Sequence, residues 1–243
     1  MRTSFSCCGY TYGHGSKEAL DARISQKDIV PLYDSLSRIY DLWGTLAESR
    51  ARNRAVELAD IKDGQNILEV AVGTGLAFYE IVKRNRNGQN LGVDISPGML
   101  AKAKKRLGKL TEGNYELKLG SAFHLPAGDE QFDLLLNNYM FDLIPFNEMG
   151  AILDEFKRVL KKGGKLVLVN MTKGERFGSG LYDLIFRLSP KSMGGCRGVR
   201  LSERLMNHGF QVETREYHQQ LLFPSEVIVA HKNISSIDSR IAG

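Results

Sequence analysis

The sequence predicts an α/β protein built on a doubly wound, mostly parallel sheet. Three observations carry that prediction. Apolar, strand-length runs alternate with helical stretches from Asn66 to Met171. The run Ile67–Val70 enters a Gly73-Thr74-Gly75 turn, and a helix-like stretch starts at Leu76. Nineteen residues after Gly75, a second apolar run, Leu91-Gly92-Val93, ends in Asp94. In open sheets of this kind glycines let backbone approach a ligand and the acid takes ribose hydroxyls, so an adenosine-containing cofactor is expected.

The elements follow in order. Strands are expected at Asn66–Val70, Asn90–Asp94, Tyr115–Gly120, Phe132–Asn137 and Lys165–Met171. Helices are expected over Leu76–Arg84, Pro97–Leu107 and Asn147–Leu160, with Pro97 suited to a first helical position after Ser96. Lys162-Gly163-Gly164-Lys165 reads as the turn into the fifth strand. A helix over Ser202–His208 leads to two β-rich segments, Gln211–Leu221 and Glu226–His231. A turn at Pro224 joins them as an antiparallel hairpin. The sheet therefore has seven strands, with an antiparallel C-terminal strand. Upstream, Val30, Leu32, Tyr33, Leu36, Ile39 and Tyr40 recur at helical spacing, and a second helix carries Arg50, Arg52 and Arg54. The polar, glycine-rich residues 1–25 read as a flexible arm. Residues 26–243 read as one domain, with an N-terminal helical cap over 26–60 and an insertion over 172–200 that covers the substrate.

Composition narrows the function classes. A chain of 243 residues buries a sizeable core, and 42% hydrophobic with 25% charged residues is ordinary for a globular protein. A net charge of +5 suits an anionic substrate, a membrane surface or RNA and requires none of them. Three cysteines (Cys7, Cys8, Cys196) are an odd number without metal-ligand spacing, which disfavours a disulfide framework and fits a reducing compartment. Cys7-Cys8 with His14 makes a poor metal site, and no metal is expected. The first thirty residues lack an apolar core of the signal-peptide kind, and no run reaches the ~18 apolar residues of a membrane span. A cytoplasmic protein is expected, with membrane contact at most peripheral. Asn233-Ile234-Ser235 matches a glycosylation sequon, read here as chance.

The glycine pattern discriminates among cofactors. A pyrophosphate site wants G-x-G-x-x-G, but Phe78 stands where the third glycine belongs. No Walker A sequence is present. Glu69 precedes Gly73 by four residues, and a strand-end acid can hold an ammonium group such as that of a methionine moiety. Glu69, Gly73, Gly75 and Asp94 together fit S-adenosylmethionine better than NAD. The competing reading is a plain glycine turn beside a solvated strand-end acid.

These motifs resemble the class I S-adenosylmethionine-dependent methyltransferases over roughly residues 30–232. LEVAVGTG resembles the first motif, GVDISPGMLAKAKKRL the second strand and its helix, and LGSAFHLP the third-strand motif. FDLLLNNYMFDLIP resembles the fourth strand, and LKKGGKLVLVNMT the fifth. Within the class, YDSLSRIYDLWGTLAESRARNRAVEL is similar to the N-terminal region of ubiquinone/menaquinone-biosynthesis methyltransferases and of bacterial phosphatidylethanolamine N-methyltransferases. EVAVGTGL and the Tyr40-Asp41…Arg50 pattern are closer to the phospholipid enzymes. The resemblance implies a Rossmann-like sheet, S-adenosyl-L-methionine as cofactor, and a small-molecule or lipid acceptor. The third-strand motif usually carries an acid where Ser121 stands, and Ala71 and Val72 replace the more usual glycine and cysteine or small residue.

The resemblance further implies that Glu69 meets the methionine portion and that backbone at Ala71, Gly73, Thr74 and Gly75 passes beneath the cofactor. Asp94 holds the ribose hydroxyls, Ile95 and Met99 flank adenine or belong to the core, and backbone at Ser121, Ala122 and Phe123 meets the adenine edge. Asn137 and Asn138 end the fourth strand where ligands of open sheets bind, or form an Asx turn. Tyr33 and Tyr40 lie seven apart and line the substrate mouth or pack on a helix face. Tyr139 and Asp142 are the remaining candidates near the acceptor, Asp142 alternatively being a solvated acid. His124, alone in its loop, reads as structural. A sulfonium methyl is already electrophilic, so no obligatory catalytic residue is expected.

Competing readings remain. A nucleic-acid methyltransferase is disfavoured because Asn137-Asn138-Tyr139-Met140 lacks the prolines of an N-P-P-Y element and no cysteine follows the fourth strand. A thiol or metalloid enzyme rests on Cys196 alone. A non-catalytic cofactor-binding module conflicts with the intact acids and glycines. The acceptor and the oligomeric state are not legible.

Overall fold

A computed structural model describes residues 49–172, 198–220 and 223–234. The expected arm, Cys7, Cys8, His14, Tyr33, Tyr40, Cys196, the cap as far as residue 48 and most of the 172–200 insertion lie outside the described residues. The elements are α1 (Ser49–Leu58), β1 (Asn66–Val70), α2 (Leu76–Arg84), β2 (Gln89–Asp94), α3 (Pro97–Leu107) and β3 (Tyr115–Leu119). Then come β4 (Phe132–Asn138), a 3-10 turn (Phe141–Leu143), α4 (Met149–Val159), β5 (Leu160–Met171), α5 (Ser202–Asn207), β6 (Phe210–Gln220) and β7 (Phe223–Lys232).

The seven strands run in the order β3-β2-β1-β4-β5-β7-β6. All neighbours are parallel except β7, which is antiparallel to both β5 and β6. Ala51, Ala55 and Val56 of α1, Phe78 and Ile81 of α2 and Ala103 of α3 pack with Ile67, Leu134 and Leu136 against one face. Ile152, Leu153 and Phe156 of α4 and Leu205 of α5 pack with Leu68, Leu135 and Leu166 against the other. Alternate strand residues thus feed opposite cores, which is the burial pattern a sheet covered on both faces requires.

Local chemistry explains the element ends. Ser96 caps α3 by accepting from Met99 N–H at 3.1 Å, with Pro97 inside the first turn. Gly75 ends the glycine turn at φ +79°, and a Cβ there would meet Ala103 Cα at 3.0 Å. Helix packing, rather than a ligand, therefore demands glycine at that position. Ala71, just after β1, sits at φ +59° in the left-handed region that disfavours a side chain. Ala71→Gly is expected to stabilise the fold by about 0.5–1 kcal/mol, raising the melting temperature by about 2 °C in a calorimetric scan.

Two expectations need correction. The fifth strand begins at Leu160, which pairs with Phe132; the register then shifts so that Lys165 pairs with Leu134. Lys162–Lys165 is thus an irregularity within the strand, with Gly163 at φ +71°. Pro224 is not in the hairpin turn. It lies in β7 opposite Gln219, where its carbonyl accepts from Thr172 N–H at 2.9 Å. Proline is tolerated so close to a strand start because few ladder bonds need its missing N–H.

Candidate functional site

The strand order reverses between β1 and β4, and a cleft of about 920 Å³, its open mouth included, lies at the carboxyl ends of the strands there. That is where ligands of open α/β sheets bind. Val70, Ala71 and Gly73 form its floor, with Asp94, Ile95 and Met99 on one side and Ser121, Ala122 and Phe123 behind. Asn138, Tyr139, Met140, Leu143 and Ile144 form the opposite, largely apolar wall. Ten of the sequence candidates therefore converge: Ala71, Gly73, Asp94, Ile95, Met99, Ser121, Ala122, Phe123, Asn138 and Tyr139.

Asp94 organises two turns at once. Its Oδ2 accepts from Gly73 N–H at 2.7 Å, and its Oδ1 accepts from Ser96 N–H at 2.9 Å. Gly73 has φ +57°, and a Cβ there would meet nothing within 4 Å, so the glycine opens directly onto the cleft. Arg106 of α3 donates to Thr74 O at 2.9 Å and ties the glycine turn from behind. Thr74 and Gly75 do not face the cleft.

Glu69 is buried, in the layer beneath the cleft wall, and Asn138 Nδ2 donates to its Oε1 at 2.9 Å. Burial pushes its carboxyl up to about 8; the Asn138 hydrogen bond and the Arg52 charge oppose this and the nearby Asp94 adds to it. Glu69 Oε2, Asn137 Oδ1 and Asn138 Oδ1 are buried polar atoms without a hydrogen-bond partner among the described residues. Asn137 Nδ2 donates to Val70 O at 2.9 Å, so Asn137 ties β4 to β1. Asn137 and Asn138 send amide donors across to β1, Asn137 Nδ2 also meeting Met140 Sδ at 3.6 Å, and the Oδ1 atoms with which an Asx turn would be made have no partner among the described residues. Buried acceptors without donors are costly, and a donor-rich cationic group is what they lack.

Other candidates fall elsewhere. Asp142 is fully buried and accepts from Met171 N–H at 2.9 Å, fastening the 3-10 turn to the end of β5. It is neither a solvated acid nor a lining residue of the cleft. Tyr139 does line the cleft, at φ +54°, and its hydroxyl bonds Ser225 Oγ at 2.9 Å. Ile95 is 47% exposed, which removes it from the core, whereas Met99 is both buried and lining. His124 is exposed and is not among the cleft-lining residues, and its Nδ1 contacts Phe123 O at 2.9 Å. Sequence reasoning missed Met140, Leu143 and Ile144. The apolar cluster after the fourth strand was their signal, and only the 3-10 turn curls it back over the sheet end.

Residues 67–164 match the model of a methyltransferase domain. The demethylmenaquinone methyltransferase of Desulfitobacterium hafniense is 31% identical over 177 residues, which cover 69% of this chain and 68% of that protein. The arsenite methyltransferase of Halobacterium salinarum is 28% identical over 139 residues, covering 57% of this chain but only 34% of that longer protein. Among solved structures, the cyclase SpnF superposes with a TM-score of 0.69 at 16% identity, over 90% of this chain and all of that one. That likeness shows the fold alone, since one fold serves several chemistries. The similarity to the demethylmenaquinone enzymes, over more than two thirds of both chains, establishes that the chain belongs to the class I S-adenosylmethionine-dependent methyltransferases.

Proposed function

We propose that this chain methylates a small lipophilic acceptor of the quinol-ring type, with S-adenosylmethionine seated in the cleft between β1 and β4. The observation that carries the cofactor's placement is the set of buried polar atoms without a partner among the described residues, Glu69 Oε2, Asn137 Oδ1 and Asn138 Oδ1, of which Asn138 lines the cleft together with Gly73. In this reading Glu69 and Asn138 hold the ammonium of the methionine portion, Asp94 takes the ribose hydroxyls, and Ile95, Met99 and backbone at Ser121–Phe123 bracket the adenine. The bound cofactor supplies an electrophilic methyl. The chain's own work is to orient both partners and keep water away, which the apolar wall of Met140, Leu143 and Ile144 favours. A general base is needed only for an acceptor that keeps its proton at neutral pH.

The quinol reading draws on the demethylmenaquinone relatives and on that apolar wall. The arsenite relative favours a second reading, in which the acceptor is a metalloid or thiol. A phospholipid amine is the third acceptor class. Among the described residues no helix is long and apolar enough to cross a membrane, so a lipophilic acceptor is to be supplied in detergent or vesicles. Methyl-labelled S-adenosylmethionine, offered with demethylmenaquinol, phosphatidylethanolamine vesicles and arsenite in parallel, is expected to label the quinol fraction. Labelled arsenic species would replace the quinol reading with the second, and labelled lipid with the third. Transfer to none of them, with cofactor bound, would remove all three.

A further inference from the structure

Among the described residues β3 is the outer strand of the sheet and pairs with β2. Gly120 N–H donates to Asp94 O and Asn114 N–H to Arg86 O, so even-numbered residues of this segment turn their backbone groups inward. Alternation then directs the N–H and C=O of Tyr115, Leu117 and Leu119 outward. Among the described residues, no strand pairs with that edge. Leu117 packs on the core beneath α2 and α3. Tyr115 and Leu119, on the same face by alternation, are 38% and 59% exposed. Glu116 and Lys118 occupy the other face and pair with each other at 3.0 Å.

We propose that this edge receives a second copy of the chain, β3 against β3, antiparallel about a two-fold axis at Leu117. The charge pattern selects both the occupant and the register. Antiparallel pairing places outward-facing residues opposite outward-facing residues, which allows two-fold centres at Glu116, Leu117 or Lys118 within the strand. A centre at Glu116 sets that carboxylate against its own copy, and a centre at Lys118 sets ammonium against ammonium. The centre at Leu117 sets Glu116 opposite Lys118 of the second copy, and Lys118 opposite Glu116, at positions that are not hydrogen-bonded, where cross-strand side chains come closest. The same register lays Tyr115 against Leu119 of the second copy, covering both exposed apolar side chains. Leu117 pairs with its own copy, and the outward amides and carbonyls of all three odd residues gain partners. The interface is self-complementary and closed, so it uses up an apolar sheet edge that otherwise invites open-ended strand addition.

Sedimentation equilibrium of the full chain over a wide concentration range tests the proposal. The expected species is a dimer whose dissociation constant rises at least tenfold in Lys118→Glu, where carboxylate faces carboxylate. The double variant Glu116→Lys/Lys118→Glu reverses both charges and is expected to restore the dimer. None of these side chains lines the cofactor cleft, so an unchanged S-adenosylmethionine titration shows that each variant is folded. A monomer at every concentration overturns the proposal and leaves the edge to some other partner. So does a dimer indifferent to Lys118→Glu, or a folded double variant that stays monomeric.

Discussion

Replacing Glu69 with glutamine is expected to make the protein more stable at alkaline pH and, in the same stroke, unable to hold its cofactor tightly. The Glu69 carboxyl has an ordinary value of 4.5 and is raised to about 8 in the fold, chiefly by burial. Its folded value lies above its unfolded one, so the native state keeps a proton that the unfolded state releases. The resulting stabilisation is complete below pH 4.5 and is lost as pH climbs through the window up to 8. Linkage at about 1.4 kcal/mol per pH unit makes the loss up to about 5 kcal/mol across that window. Glutamine is neutral throughout and can still accept from Asn138. The variant should therefore match the parent near pH 5 and melt roughly 10 °C higher near pH 8. Equal melting temperatures at both pH values would show that the carboxyl is solvated in the native state. A ligand ammonium beside Glu69 should pull its proton off, so cofactor binding at pH 7 should release close to one proton. Calorimetry in two buffers of different ionisation enthalpy measures that number. The release should vanish in Glu69→Gln, together with at least a tenfold loss of affinity.

Asp94→Ala is expected to abolish cofactor binding and to lower stability by about 2–3 kcal/mol, because two turn amides, at Gly73 and Ser96, lose their acceptor. Binding could then be lost through the turns alone, so a second ligand separates the two acids. Methylthioadenosine carries the adenosine but no amino-acid portion. Glu69→Gln should bind it as the parent does, whereas Asp94→Ala should not bind it at all. If Glu69→Gln weakens both ligands equally, Glu69 supports the cleft wall and does not meet the ammonium. If Asp94→Ala keeps methylthioadenosine, the ribose assignment fails.

Much of the framework was legible because its determinants are local. β1, α2 and α3 occupy the residues read from periodicity, from the Gly-Thr-Gly turn and from Ser96-Pro97. Each depends on side chains within a few positions. Ambiguities appeared where a local pattern admits two backbone states. The Lys162–Lys165 segment reads as a turn, yet pairing across β4 draws Leu160 into the sheet. Pro224 reads as a turn residue, yet it pairs with Gln219 of β6, and Thr172, just past β5, donates to its carbonyl. Asp142 is a polar letter in an apolar run, which fits surface or interior equally; the distant amide of Met171 decides for the interior.

The sequence by itself determined the order of strands and helices, the glycine turn, the acid at the end of β2 and hence the cofactor class, since turn chemistry and hydrophobic period act over a few residues. Only the tertiary structure decided the burial of Glu69, the inward turn of Asp142, the apolar wall and, among the described residues, the unpaired edge of β3. Desolvation and hydrogen bonding are set by neighbours far along the chain. Asn138, which holds Glu69, is 69 residues away, and Asp94, which adds to its protonation, sits on another strand.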